Sequence, residues 1–136
     1  MSAEDCIFCG IVAGSVPAFK VHEDEQTVAF MDINPATRGH CLVVPKAHAD
    51  DIVAASASDI AACSTVASEL AERAITKLGA DGAAVISLCR PAAGQTVFHL
   101  HFHVIPRYEG DGLKAPWLPT VGDMAEIEAT AEELRA

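Results

Sequence analysis

Three histidines, His99, His101 and His103, occupy every second position of the run Val97-Phe98-His99-Leu100-His101-Phe102-His103-Val104-Ile105. Burying several imidazoles in an apolar segment without partners is costly, so the cluster points to chemistry. A neutral imidazole near pH 7 is suited to attack on phosphorus, forming a phosphoramidate bond that water later cleaves. A neighbouring imidazole can hold the phosphoryl oxygens or the leaving group. Directly before the triplet, Gly94, Gln95 and Thr96 add backbone N–H, amide and hydroxyl donors. His22 stands alone and is read as a satisfied, solvent-side histidine.

Cys6-Ile7-Phe8-Cys9 is a second constellation. Two cysteines at this spacing can both reach one tetrahedral ion at about 2.3 Å, and their softness favours zinc. Redox motifs use the same spacing, but beside a βαβ pattern that this chain lacks. Zinc then needs two more ligands, His48 and one histidine of the triplet. The resulting Cys₂His₂ site is closed and structural, with no place for a reactive water. A competing reading puts an open, water-activating zinc on the histidines themselves, although the cysteine pair offers the ion a softer home.

These residues need elements to position them. The period-two pattern predicts a strand over Thr96 to Ile105, with the three imidazoles on one face and Phe98, Leu100, Phe102 and Val104 on the other. Further strands are expected around Ala18 to His22, Thr27 to Ile33, Gly39 to Val44 and Ala83 to Leu88, bounded by Gly, Pro and acidic turns. Cys6 to Ala13 suits a short helix or turn. Ile52 to Leu78 changes to helical spacing, with Ser56 or Ser58 as N-cap and Gly79 at the C′ position. The segment from Tyr108, with Gly110, Gly112, Pro116 and Pro119, reads as irregular until a final acidic helix over Asp123 to Leu134. The sum is an α+β fold: a five-stranded antiparallel sheet, one long helix and short terminal helices.

At 136 residues, one domain is expected over the whole chain, with a core at about 5–108 and a tail at 109–136. Nine Lys and Arg against nineteen Asp and Glu give a formal charge of −10, which disfavours a nucleic-acid partner. Carboxylates are absent between Asp32 and Asp50 and between Asp81 and Glu109, the stretches that carry Arg38, His40, Lys46, His48, Arg90, the triplet and Arg107. A small anion is the expected ligand there. No leader-like segment or apolar run of membrane-spanning length is found, so neither secretion nor a membrane partner is expected and the setting is read as cytoplasmic. Five cysteines are read as metal ligands and packed thiols, without disulfides.

The segment Gln95 to Ile105 resembles the motif of the histidine-triad (HIT) nucleotide-binding proteins. The similarity extends through Cys6-Ile7-Phe8-Cys9, Phe30-Met31-Asp32-Ile33-Asn34-Pro35, Arg38-Gly39-His40 and Pro106-Arg107, and is closest to bacterial HIT hydrolases. The resemblance implies a homodimer whose sheets join and a purine nucleotide whose α-phosphate meets the triad. It implies His101 as the nucleophile, His103 and His40 as supports of the phosphate and the active-site hydrogen bonds, and Gln95 and Thr96 as contacts to phosphate or leaving group. Asp32 would hold the ribose hydroxyls, and Ile7, Phe8, Phe30 and Ile33 would border the base. Gly94 and Val97 complete the nucleotide-binding loop. The implied zinc ligands are Cys6, Cys9, His48 and His99. The implied activity is hydrolysis of a purine nucleoside monophosphate joined to an amine or a further phosphate, through a nucleotidyl-histidine. Diadenosine polyphosphate hydrolysis and zinc-stabilised AMP binding without turnover are the alternatives. Where many members carry an amide before a glycine, this chain reads Leu88-Cys89-Arg90-Pro91, and Arg90 is expected to supply a phosphate or leaving-group contact instead.

Overall fold

The computed structural model describes residues 3–114 and 119–135, so Pro116 lies outside the described residues. Strands β1 (Lys20–Glu23), β2 (Thr27–Met31), β3 (Cys41–Pro45), β4 (Gly82–Ile86) and β5 (Phe102–Arg107) form one antiparallel sheet in the order β1-β2-β3-β5-β4. Helices α1 (Ile7–Ala13), α2 (Ala57–Leu78) and α3 (Met124–Arg135) complete the fold, with two short 3₁₀ turns. The expected α+β class and sheet are found.

Apolar runs without alternation mark strands covered on both faces, and β2 and β3 are such strands. On one face Ala29, Cys41, Val43, Phe102 and Val104 pack with Leu100 against Cys63, Val66, Ala67 and Leu70 of α2. On the other, Val28, Phe30, Leu42 and Val44 pack against Cys6, Phe8 and Ile11 around α1. All five cysteines are free. Cys41 and Cys63 are packed thiols, and burial pushes them up to about 11 and about 12 respectively.

Several boundaries differ from the sequence expectation, each for a local reason. The long helix begins at Ala57, directly after the expected cap Ser56, and the earlier part of the alanine-rich segment is a turn because the Asp51 carboxylate accepts the Val53 and Ala54 N–H groups. Ser56 caps it by accepting the Asp59 N–H at 3.1 Å, and Gly79 ends it in the left-handed region. β1 starts at Lys20, with a register shift between Lys20 and His22. β2 ends at Met31, where Asp32 turns to accept the Asn34 N–H. β4 covers Gly82–Ile86 and stops short of Leu88. The largest change is at the triplet: β5 begins at Phe102, so His99 and His101 precede the strand. There the backbone bends and bonds elsewhere: the Leu100 N–H donates to the Ala49 carbonyl, and the His101 carbonyl accepts from the Ser87 hydroxyl.

Gly39, before β3, has φ 92°, and a Cβ there would meet the Leu78 side chain at 2.6 Å. The left-handed backbone, more than the contact with the movable end of Leu78, is what calls for glycine here. α3 has no buried residue, and no helix among the described residues is long and apolar enough to cross a membrane.

Leu100 sits between two site histidines, yet its side chain belongs to the core under α2 and is 1% exposed. Leu100→Ala is therefore expected to lower unfolding free energy by about 2–5 kcal/mol in urea titration, a loss that a solvent-facing leucine would not produce.

Candidate active site and metal centre

A cavity of about 400 Å³ opens between α1 and the sheet. Ile7, Phe8, Ile11, Val16, Pro17, Ala18, Phe30, Met31, Ile33 and Leu42 make its apolar wall. Asp32, Asn34, Thr96, Val97, His101 and His103 make the rest. One apolar wall with a few converging polar groups is the usual form of a small-molecule site. Among the described residues, no lysine or arginine lines it.

Backbone groups fix the protonation pattern of the imidazoles. A carbonyl can only accept, so the 2.7 Å contact between His101 Nδ1 and the His99 carbonyl makes Nδ1 the donor and leaves the lone pair on Nε2. His40 Nδ1 accepts the Ala36 N–H at 2.9 Å, which leaves its hydrogen on Nε2. That hydrogen is donated to His103 Nδ1 at 3.0 Å, so His103 in turn carries its hydrogen on Nε2. The His101 and His103 rings lie 5.0 Å apart, centroid to centroid. The group thus presents one bare nitrogen beside one N–H donor.

Burial is the main reason these rings are neutral. It lowers His40 and His101 below the ordinary histidine value, and Asp32 only partly opposes it. His103 is pushed down to about 4 by burial, then by repulsion from His101 and His40. Asp32 lies 3.5 Å from His40 Nε2. Phe8 stands edge-on to His101 at 5.1 Å, which restricts how that ring can tilt.

Four donors converge at the N-terminal end of α1. Cys6 Sγ lies 3.3 Å from His99 Nδ1, and Cys9 Sγ lies 3.3 Å from His48 Nδ1 and 3.4 Å from His99 Nδ1. All four ligand atoms lie within 4.8 Å of one another. Tetrahedral zinc, with bonds of about 2.3 Å to sulfur and 2.0–2.1 Å to nitrogen, would separate such ligand pairs by roughly 3.5 Å, so the set fits. The outer partners fit as well. His99 Nε2 donates to the Pro45 carbonyl at 2.8 Å and His48 Nε2 to the Asp50 carboxylate at 3.0 Å, which aims both Nδ1 lone pairs at the sulfurs. A bound ion would cross-link α1, the end of β3 and the segment before β5. Asp32, His40 and His103 also lie within the spacing of a metal group, but the hydrogen bond between the two rings already occupies two of their nitrogens.

The structure brings most of the sequence-selected residues to one of these two places, with three exceptions. Gln95 is buried and its amide faces away from the cavity: Nε2 donates to the Asp50 and Val97 carbonyls, and Oε1 accepts the Arg90 N–H at 2.6 Å. The expected contact of Gln95 with phosphate is not what its side chain is doing; it pins the loop. Gly94 closes the 3₁₀ turn at φ 99° and lies outside the cavity lining. Arg90 is also outside the lining, with Nε 3.3 Å from Asp51. His22 pairs with Asp24 at the surface, as a lone histidine should. Sequence reasoning missed the Ala36 N–H, the Pro45 carbonyl and Asp50, because a backbone donor or an outer-shell carboxylate has no residue pattern to betray it.

The HIT domain family matches residues 13–110 of this chain. An uncharacterised HIT-like protein of Methanocaldococcus jannaschii is 45% identical over 108 residues, covering 79% of this chain and 82% of its own. Adenylylsulfatase HINT3 of Arabidopsis thaliana is 41% identical over 113 residues, 82% of this chain and 56% of that protein. The crystal structure of a zinc-bound histidine triad family protein from Mycobacterium smegmatis superposes with a TM-score of 0.79 at 37% identity, covering 98% of each chain.

The donor geometry carries a direct expectation. Metal analysis of the purified protein should find one divalent ion for each Cys6, Cys9, His48 and His99 set, and Cys9→Ser or His48→Ala should lose most of it and melt at lower temperature. A metal-free wild type as stable as a metal-loaded one would remove the site.

Proposed function

The chain belongs to the HIT domain family, and on that premise we propose that it is a nucleotidyl hydrolase acting on a purine nucleoside monophosphate whose α-phosphate carries an amine or oxyanion leaving group. One observation carries the reading: His101 presents a bare Nε2 to a cavity in which His103 Nε2 offers a hydrogen. The name of the Arabidopsis relative, an adenylylsulfatase, supports the reaction class.

In this reading the base lies against Ile7, Phe8, Phe30 and Ile33, and the ribose hydroxyls bond to Asp32. His101 Nε2 gives its electron pair to phosphorus, and the bond to the leaving group breaks with its pair going to that group; an oxyanion departs as such, and an amine takes up a proton from solvent as it leaves. His103 Nε2–H donates to a phosphoryl oxygen, held in line by His40. Thr96 contacts the phosphate or the departing group. Water then attacks the nucleotidyl-histidine: its oxygen joins phosphorus, the N–P pair returns to His101, and a proton leaves to solvent.

We assign the Cys6, Cys9, His48 and His99 set to a structural zinc, supported by the donor types and by the zinc-bound mycobacterial relative. Its chemistry is cohesion, with every ligand position taken by protein. We also propose a homodimer. β4 is an edge strand with Val85 and Ile86 exposed, and an apolar edge of this kind favours pairing with a second sheet. A cytoplasmic setting suits the free cysteines.

The test is AMP release from adenosine 5′-phosphoramidate with chelator present. Wild type should turn over, and His101→Ala should lose kcat by about three orders of magnitude or more while remaining folded. Stabilisation by AMP without any turnover would favour a binding module. Turnover that vanishes on chelation of a still-folded protein would favour a catalytic metal.

A further inference from the structure

In the hydrolase reading the cavity receives a phosphate, yet among the described residues its lining contains one carboxylate, Asp32, and no lysine or arginine. The His40 and His103 rings are uncharged at neutral pH, as argued above. Positive charge for the substrate must therefore come from outside that lining.

Arg90 lies on the loop that leads into the cavity wall. Its carbonyl accepts the Gln95 N–H at 3.2 Å, which sets it against the residue that precedes Thr96 on the cavity wall. It is the only cation on the loop from Ser87 to Val97. The backbone of Arg90 lies at φ 73° and ψ 163°, a region that is essentially glycine's own, and it is the only non-glycine residue with positive φ among the described residues. Gln95 Oε1 holds the Arg90 N–H in that conformation, and Asp51 holds Nε. Asp51 is itself fixed by the Val53 and Ala54 N–H groups. The two terminal nitrogens of the guanidinium make no hydrogen bond among the described residues, and the side chain is 66% exposed. A strained arginine thus stands where glycine would be relaxed, with one nitrogen tethered and a two-nitrogen fork open to solvent.

We propose that Arg90 is a specificity-determining residue that binds the oxyanion of the leaving group, so that the preferred substrates carry a phosphate or sulfate on the α-phosphate and not an amine. The inference rests on the hydrolase reading for its substrate class, but the contact itself is a binding property. Arg–oxyanion pairing through two parallel N–H groups needs the fork and not merely the charge, so lysine substitutes only in part.

The closing experiment compares Arg90→Ala, Arg90→Gly and Arg90→Lys with wild type in two measurements. Calorimetry gives the affinity for AMP and for α,β-methylene ADP, which carries one further phosphonate. Kinetics gives kcat/KM for adenylyl sulfate and diadenosine triphosphate, each relative to adenosine 5′-phosphoramidate. Wild type should prefer the longer nucleotide, and Arg90→Ala and Arg90→Gly should each reduce that preference about tenfold or more, as loss of one charge-assisted contact does. Both kinetic ratios should fall together; a fall in only one names phosphate or sulfate as the group recognised. Arg90→Gly should melt about 2–4 °C above Arg90→Ala because glycine relaxes the backbone, which separates strain from charge. A binding preference that is lost in the variants, in a wild type that cleaves nothing, keeps Arg90 and ends the hydrolase reading. Turnover with preferences equal in wild type and both small variants does the reverse, and a wild type that binds neither nucleotide overturns both.

Discussion

The hydrogen bond from His101 Nδ1 to the His99 carbonyl governs the rest of the site. It decides which nitrogen of His101 is bare, and it depends on where the backbone of His99 is held. His99 is held by its own ring, which donates to Pro45 on one side and faces Cys6 and Cys9 on the other. The side chain of one residue therefore closes the metal centre while its main chain sets the tautomer of the ring two residues on. The segment carrying them is not ladder-bonded, so these contacts replace the restraint a strand would give.

Neutrality is the second constraint. The chain carries a formal −10, yet Asp32 is the one carboxylate among the described residues that line the cavity beside His101 and His103. Burial lowers the proton affinity of all three rings, and in the directional chain from Ala36 through His40 to His103 every nitrogen has one role. A ring that became cationic would have to donate where it now accepts, breaking that chain at His103 Nδ1 or at His40 Nδ1. Hydrogen bonding and desolvation thus favour the same protonation state, which is the condition for a preorganised site.

Much of this was legible in the sequence, and the limits were physical. The sheet, the helices and the capping of α2 by Ser56 followed from periodicity and from residues with local preferences. The Cys and His spacing located both constellations. What the sequence could not place were contacts made by main-chain atoms and the limits of β5. Period-two alternation is a statement about which side each residue faces, and it survives in Leu100, Phe102 and Val104 pointing to α2, even where the ladder stops. An extended segment bonded to loops has the same pattern as a strand bonded to strands. Alternation alone likewise grouped the three imidazoles, whereas the structure sends His99 to the cysteines and leaves His101 and His103 with His40.

Gln95 illustrates why residue type is a weaker guide than the count of partners. An amide beside a phosphate-binding segment has the right chemistry for a ligand, but three main-chain groups, Arg90 N–H and the Asp50 and Val97 carbonyls, already engage its oxygen and both hydrogens. Turning it toward the cavity would leave those buried groups unpaired, a cost that a single solvent-exposed contact to an anion does not offset. Because Gln95 is committed to the loop, it can hold Arg90 in a conformation that arginine would not adopt by itself. Asp50 lies in the same network: its carbonyl takes Gln95 and its carboxylate takes His48, so the loop and the metal centre share one anchor. Arg90 and the ligand cluster at the N-terminal end of α1 are in this way parts of one hydrogen-bonded frame, joined through Gln95 and Asp50.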